Sequence, residues 1–389
     1  MIPYSKQNIT KEDEDVLRKA LFDPFLTQGP KVGEFEKSLS QKHKCADAVA
    51  CSSGSAALHL AYAGCGIDED GIGIVPAITF ASTANGFKHL GARVLFCDVD
   101  PTTGIIDLNS LETTLKKANS ERVSGQGVIA PVSFAGQVAP LRQCYELAKE
   151  FDFKIVEDAS HSPLAIGQDE DEGVRSCSCE WTDYATLSFH PVKHLCSGEG
   201  GAVLCKTKDH AVQPRKLRSH GIIRDVDSEG NQPWKYHQTD LGWNYRLTDL
   251  QAALGLSQLK RLEIEIEKRK ELASIYNQEL KAEPFSDIFE LPSYHSGHVW
   301  HLYVLRFKRS EWRDNAYHFL KKKGILTQVH YIPVYHHPYF GGLSVNEKLP
   351  GAEQFFSSCL SIPLFPTMTE TDQNQVINNL QEYCNSLIL

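Results

Sequence analysis

Ala48-Val49-Ala50-Cys51-Ser52-Ser53-Gly54-Ser55-Ala56-Ala57-Leu58 is the stretch whose reading decides the fold. A short apolar run of strand character ends in small polar residues and a glycine, and an alanine- and leucine-rich stretch then opens as a helix. The same alternation continues outward through Val94-Leu95-Phe96-Cys97, Val128-Ile129-Ala130, Lys154-Ile155-Val156 and Ala202-Val203-Leu204, with amphipathic stretches between them. Runs without a polar face suit strands covered on both sides by helices. The pattern predicts an α/β fold with a mostly parallel sheet. In such sheets ligands gather beyond the carboxyl ends of the strands, which would bring Ser52, Asp158 and Ser188 together from three separated segments.

With 389 residues the chain is long enough for one large domain and a smaller one. An apolar content of 41% with 23% charged residues is that of a globular protein rather than a disordered one. The net charge of −9 disfavours a nucleic-acid partner but leaves room for a local basic pocket, so a small-molecule substrate is expected. The start, Met1-Ile2-Pro3-Tyr4-Ser5-Lys6, lacks the apolar stretch of a secretory signal, and no apolar run approaches membrane-spanning length. The eleven cysteines then read as mostly free thiols in a reducing, cytoplasmic compartment, with no membrane partner. Cys177-Ser178-Cys179 has a spacing unlike that of zinc knuckles, so no metal is expected. Following the acidic run Asp169-Glu170-Asp171-Glu172, it reads as a surface loop.

Thr248-Asp249-Leu250-Gln251 has the form of a capping box and predicts a long helix in which Leu259, Leu262 and Ile266 keep one apolar stripe. This helix is expected to link the domains. The division falls between 1–250, an arm and large domain, and 251–389, the linking helix and small domain. The run Lys268-Arg269-Lys270-Glu271 reads as a solvated face. Further on, Trp300-His301-Leu302-Tyr303-Val304-Leu305 predicts a strand, Asp314 to Lys322 a helix, Gly324 a stop and Ile325 to Val329 a second strand. Together they make a compact α+β unit.

The chemistry centres on Lys193, in Ser188-Phe189-His190-Pro191-Val192-Lys193 ahead of Gly198-Glu199-Gly200-Gly201, and on Asp158, in Glu157-Asp158-Ala159-Ser160-His161. A lysine on a turn after one strand and an aspartate ending an earlier strand are what pyridoxal phosphate chemistry requires. The amine forms a Schiff base with the cofactor aldehyde, and the carboxylate keeps a proton on the pyridine nitrogen. Taken singly, such a lysine is often a solvated turn residue and such an aspartate a helix cap; their joint context carries the reading. Backbone amides at Gly54 and Ser55, opening a helix, suit an anion, although a plain helix start has the same appearance. Phe80, in Pro76-Ala77-Ile78-Thr79-Phe80-Ala81-Ser82-Thr83, suits either stacking on a flat heterocycle or core packing. His161 suits a hydrogen bond to a cofactor oxygen or a structural role equally well.

Ser53-Gly54-Ser55, the Glu157–His161 segment, Ser188 through Lys193, Gly198 through Gly201 and Gly242-Trp243-Asn244-Tyr245-Arg246-Leu247 occur in the order found in one family. Over nearly its whole length the chain resembles the DegT/StrS-type sugar-nucleotide aminotransferases. Arg218-Ser219-His220-Gly221, Gln251 through Leu259 and Val329-His330-Tyr331-Ile332-Pro333-Val334-Tyr335 extend the match. The resemblance implies a type I aminotransferase fold, with a mostly parallel seven-stranded sheet in the large domain and a smaller α+β C-terminal domain. It implies Lys193 and Asp158 as catalytic residues. It further implies Gly54, Ser55 and Ser188 on the cofactor phosphate, Ser53 as a further cofactor-binding residue, Phe80 on the ring and His161 near the ring hydroxyl. Asn244 would reach the phosphate from a neighbouring subunit, giving a homodimer with shared active sites. Thr27, Arg246, His330 and Tyr331 are the implied substrate-binding residues.

The related 3-dehydratases carry histidine where this chain has Lys193, so the chain falls with the transaminases. Finer likeness at Gln28, at the Ser160-His161 variant, at Arg218 through Gly221 and at Gln328 through Tyr331 implies a specific acceptor. That acceptor is a UDP-4-keto-6-deoxy-N-acetylhexosamine aminated at C4, with L-glutamate as donor, as pseudaminic acid synthesis requires. The alternatives are C4 or C3 transamination of another UDP-, dTDP- or GDP-keto sugar, and a non-catalytic cofactor-binding regulator. The last would need a lost catalytic group or a DNA-binding appendage, whereas Lys193 and Asp158 are both retained. The stretch Gln168 to Glu180 has no counterpart in these motifs, and reads as an exposed loop or as a border of the sugar site.

Overall fold

Seven strands form the main sheet of the computed structural model, which describes residues 1–122, 124–168, 172–224, 232, 234–341 and 349–388. They are β1 (Asp47–Cys51), β2 (Ile72–Pro76), β3 (Arg93–Cys97), β4 (Gly127–Ile129), β5 (Phe153–Asp158), β6 (Tyr184–Ser188) and β7 (Gly201–Cys205), in the order β1-β7-β6-β5-β4-β2-β3. The pairs β2–β3, β2–β4, β4–β5 and β5–β6 are parallel, and β7 alone lies antiparallel, between β1 and β6. Strands β1 to β6 therefore point the same way, and their carboxyl ends share one edge. Successive residues of a strand enter different apolar clusters, Val128 one and Ile129 another, which is the two-sided burial that the unbroken apolar runs predict.

Helices cover both faces. Helices α1 (Lys11–Ala20) and α2 (Pro30–His43) precede β1. Helices α3 (Gly54–Gly64), α4 (Ala81–His89) and α5 (Leu108–Glu121) follow β1, β2 and β3, and α6 (Leu141–Glu150) joins β4 to β5. After β7 come α7 (Val212–Leu217) and the short antiparallel pair β8 (Ile222–Ile223) and β9 (His237–Gln238). Helix α8 (Asp249–Lys260) opens on the expected capping box, with Thr248 N donating to Gln251 Oε1 at 3.1 Å and Gln251 N to Thr248 Oγ at 3.2 Å. The long helix is interrupted at Arg261, whose guanidinium reaches Asp13 at 2.7 and 2.9 Å, and it resumes as α9 (Leu262–Glu279).

The C-terminal part adds α10 (Phe285–Ile288), β10 (Phe289–Glu290), β11 (Tyr303–Phe307), α11 (Ser310–Lys322), α12 (Pro350–Ser358), β12 (Cys359–Ile362) and α13 (Glu370–Ile388). The three strands form an antiparallel sheet in the order β10-β11-β12. Residues Ile325 to Val329 form no strand. Ile325 is bridged to Ile2 and Gln328 to Ser361, so the start of the chain occupies the position beside Ile325. Trp300 to Leu302 also stay out of β11, because Val299 N and Leu302 N donate to Gly136 O and Ala135 O. A Cβ on Gly136, whose φ is +110°, would lie 2.6 Å from Trp300 N, so this approach requires glycine.

Two surface expectations are corrected. Arg269, in the charged run of α9, is 1% exposed, and its Nη1 donates to Leu364 O at 2.9 Å and to Trp300 O and His301 O at 3.3 Å. Burial holds its pKa down to about 10, against the pull of Glu265. The cysteine-containing stretch also turns inward at Val174, Ser176, Cys177 and Cys179. Residues 169–171 lie outside the described set, but Cys177 and Cys179 are buried in an apolar cluster with Phe35, Leu187 and Leu204. Thiols are apolar enough for that core, and Ser176 and Cys177 supply donors to the buried Glu157. Among the described residues, no helix is long and apolar enough to cross a membrane and no group of three metal-ligating side chains converges.

Arg269→Met strands three backbone carbonyls, and it is expected to lower stability by about 3 kcal/mol in chemical denaturation.

Candidate active site

The shared edge of the sheet gathers Ser52 after β1, Asp158 at the end of β5 and Ser188 at the end of β6. Asp158 is 5% exposed and fully engaged: Thr83 Oγ donates to Oδ2 at 2.7 Å, and Ser160 donates to Oδ1 through Oγ at 2.7 Å and N at 3.2 Å. Since the Thr83 proton is directed at Asp158, Thr79 Oγ, 2.8 Å away, donates to Thr83. Three donors thus satisfy this buried carboxylate in its dry setting.

Lys193 lies on the turn after β6, its N–H bound to His190 O at 2.8 Å. Burial lowers its amine to about 8, opposed by the nearby charge of Asp158. His161 is buried beside it, and burial, followed by the Lys193 charge, holds the imidazole neutral. Ala135 N donates to His161 Nδ1 at 3.3 Å, which leaves the ring proton on Nε2, facing Tyr331 Oη at 3.2 Å. The far side of His161 is packed by His301, ring centroids 4.2 Å apart.

Ser53 caps α3 by accepting from Ala56 N at 3.1 Å, and Gly54 and Ser55 open the helix with free amides and the positive end of its dipole. A Cβ on Gly54 would stand 2.7 Å from Ser188 Cβ, so the helix start and the end of β6 meet in a tight cradle. Phe80 caps α4 with its ring 59% exposed, 6.0 Å from the Tyr331 ring. A large apolar face left open above a buried carboxylate, a lysine of lowered pKa and an anion cradle together fit a flat, phosphorylated heteroaromatic ring.

The remaining predicted residues fall less centrally. Arg246 is bridged to Cys51, which lays its segment beside the cradle, and Tyr245 O accepts from Ser52 N at 2.8 Å. Thr27 and Asn244 are exposed; their backbones bridge Thr248 and Ser219. His330 turns inward instead, its Nδ1 2.8 Å from Ser361 Oγ and its pKa pushed down to about 3 by burial. Thr83, Ser160 and His301 were not anticipated. Thr83 had a signal, since it stands one helical turn after Phe80 on the same helix start.

The DegT/DnrJ/EryC1/StrS aminotransferase family model matches residues 7–381. A Campylobacter jejuni (serotype O:2) protein described as UDP-4-amino-4,6-dideoxy-N-acetyl-β-L-altrosamine transaminase is 36% identical over 382 residues, covering 98% of this chain and 96% of its own. The structure of Helicobacter pylori PseC, an aminotransferase involved in the biosynthesis of pseudoaminic acid, superimposes with a TM-score of 0.87 at 26% identity, over 99% of each chain. Bacillus subtilis NtdA, solved with bound cofactor PMP, has a TM-score of 0.83 at 26% identity, covering 97% of this chain and 83% of its own.

Lys193 should behave as an amine of pKa about 8 rather than 10.5. In cofactor-free protein, its trapping by a small aldehyde and borohydride, followed by peptide mapping, is expected to rise with pH through about 8 and then level off. A rate still climbing toward pH 10.5 contradicts this.

Proposed function

Since the chain belongs to the DegT/DnrJ/EryC1/StrS aminotransferase family, we propose that it uses pyridoxal 5′-phosphate to move an amino group from L-glutamate to C4 of a UDP-4-keto-6-deoxy-N-acetylhexosamine. The product is UDP-4-amino-4,6-dideoxy-N-acetyl-β-L-altrosamine, for pseudaminic acid biosynthesis. The observation that carries this reading is the near full-length identity with the Campylobacter jejuni transaminase, in a chain whose Lys193 and Asp158 share one buried crevice.

When bound, the cofactor supplies the electron sink and carries nitrogen between donor and acceptor. In this reading Lys193 Nζ would hold the cofactor and, as a free amine, would take and return a proton at the reacting carbon. A base of pKa about 8 suits that task, and such positioned help contributes roughly 10²–10⁴-fold. The Asp158 carboxylate keeps a proton on the ring nitrogen. Phe80 orients the flat ring, while Ser53, Gly54, Ser55 and Ser188 bind its phosphate. Ala135 and Tyr331 hold the two ring nitrogens of His161, so a bond to the ring hydroxyl would take the place of Tyr331 at Nε2. Thr27, Arg246 and Tyr331 remain candidates for the sugar-nucleotide. His330 acts from behind Tyr331, bound to Ser361.

A homodimer with Asn244 reaching the partner's phosphate belongs to the same proposal. It is supported by the exposure of Asn244, two residues before the Arg246 that is bridged to Cys51, and of the apolar Leu241 on the same segment. Sedimentation of a fully active monomer rules it out.

L-Glutamate is expected to bleach the visible band of the purified protein. The UDP-4-keto sugar is expected to restore it, with the 4-amino sugar detected by mass. Bleaching without restoration points to another nucleotide sugar, and absence of a band removes the cofactor reading. Lys193→Ala should lose the band while remaining folded by circular dichroism. Asp158→Asn should cut turnover at least 10²-fold, with a much smaller effect on folding.

A further inference from the structure

Strand β1 is the outer strand of the main sheet, and side chains occupy its open side where another strand would otherwise pair. Arg215 Nη2 donates to Ala48 O at 3.1 Å. Glu36 Oε1 accepts from Ala50 N at 2.9 Å, and Arg218 Nη1 donates to Ala50 O at 2.7 Å. Glu36 is 6% exposed and receives both guanidinium groups, Arg218 on Oε1 and Arg215 on Oε2. The backbone of Arg218 extends the grip, because its carbonyl accepts from Tyr245 N at 3.0 Å, and Tyr245 O in turn accepts from Ser52 N at 2.8 Å. Both polar groups of Ala50 and the amide of Ser52 are thus fixed immediately before the Ser53-Gly54-Ser55 turn.

We propose that Glu36 and Arg218 are positioning residues for the phosphate cradle: they set the direction in which β1 delivers Ser53, Gly54 and Ser55, and so govern retention of the cofactor's phosphate rather than of its ring. This rests on the pyridoxal phosphate reading above. Neither residue is assigned to the phosphate itself; both act through the backbone of β1. An apolar pair of equal size would fill the same space and avoid the desolvation of a buried ion pair. It would leave the N–H and C=O of Ala50 without partners, and the turn that follows would lose its fixed approach.

The test compares two ligands on the cofactor-free full chain, pyridoxal 5′-phosphate and pyridoxal, each followed by the absorbance of the Lys193-bound form. The ratio of their dissociation constants isolates the phosphate contribution. The double variant Glu36→Gln with Arg218→Gln removes one negative and one positive charge, so the net charge beside the cradle is unchanged. The phosphate advantage is expected to fall about tenfold while pyridoxal binding stays the same, as for loss of about one charge-assisted hydrogen bond. Arg218→Lys, which keeps the charge but not the two-acceptor reach, should give a smaller loss in the same direction, and it decides the matter if the double variant does not fold. An unchanged ratio, or equal weakening of both ligands, overturns the proposal. A wild-type protein with no preference for the phosphorylated ligand fails the cofactor reading itself and takes this inference with it.

Discussion

Two adjacent carboxylates at the end of β5 demand hydrogen bonds inside the protein, and meeting that demand organises the crevice. Successive strand residues face opposite sides, so Glu157 and Asp158 recruit from different neighbours. Glu157 takes Ser133 Oγ and Ser176 Oγ at 2.6 Å and Cys177 N at 2.9 Å, while Asp158 takes Thr83 and Ser160. Burial raises the pKa of Glu157, which makes its three donors necessary if it is to remain ionised. Three separate segments are therefore drawn to one strand end, joined by Ser160 from the turn that follows it. One of them carries Ala135, which sets the tautomer of His161; another is the α4 start that presents Phe80.

The main sheet was legible because its strands are covered on both faces and read as unbroken apolar runs. Thr248 was legible as a cap because the reciprocal bonds with Gln251 are local. The failures share a cause, namely partners that are distant in sequence. Arg269 sits in a run of charges, and only Trp300, His301 and Leu364 make it an interior residue. Ile325 has the composition of a strand, but Ile2 takes its pairing position. Cys177 and Cys179 follow an acidic run, yet the core behind β6 and β7 receives them.

The site shows the same division. Lys193 and Asp158, singled out from their local contexts, do lie close enough for the Asp158 charge to act on the amine, and the Gly54–Ser188 contact follows from the parallel direction of β1 and β6. The pairing of His161 with Tyr331 spans 170 positions and had no sequence signal. His330 and Tyr331, adjacent in the chain, part ways, His330 bonding Ser361 and Tyr331 bonding His161.

The pairing of Ile2 with Gly324 and Leu326 affects the order in which the fold can close. Ile2 donates to Gly324 O and accepts from Leu326 N, both at 2.8 Å, and its side chain joins the cluster of Tyr303, Leu320 and Leu380. These partners lie more than three hundred residues further along the chain, so Ile2 has no such partner until they have been made. Through most of translation the main sheet can assemble while this segment waits, and closing so long a loop is slow. The segment of Ile2 thus acts as a latch that engages only after residues 324–326 have emerged.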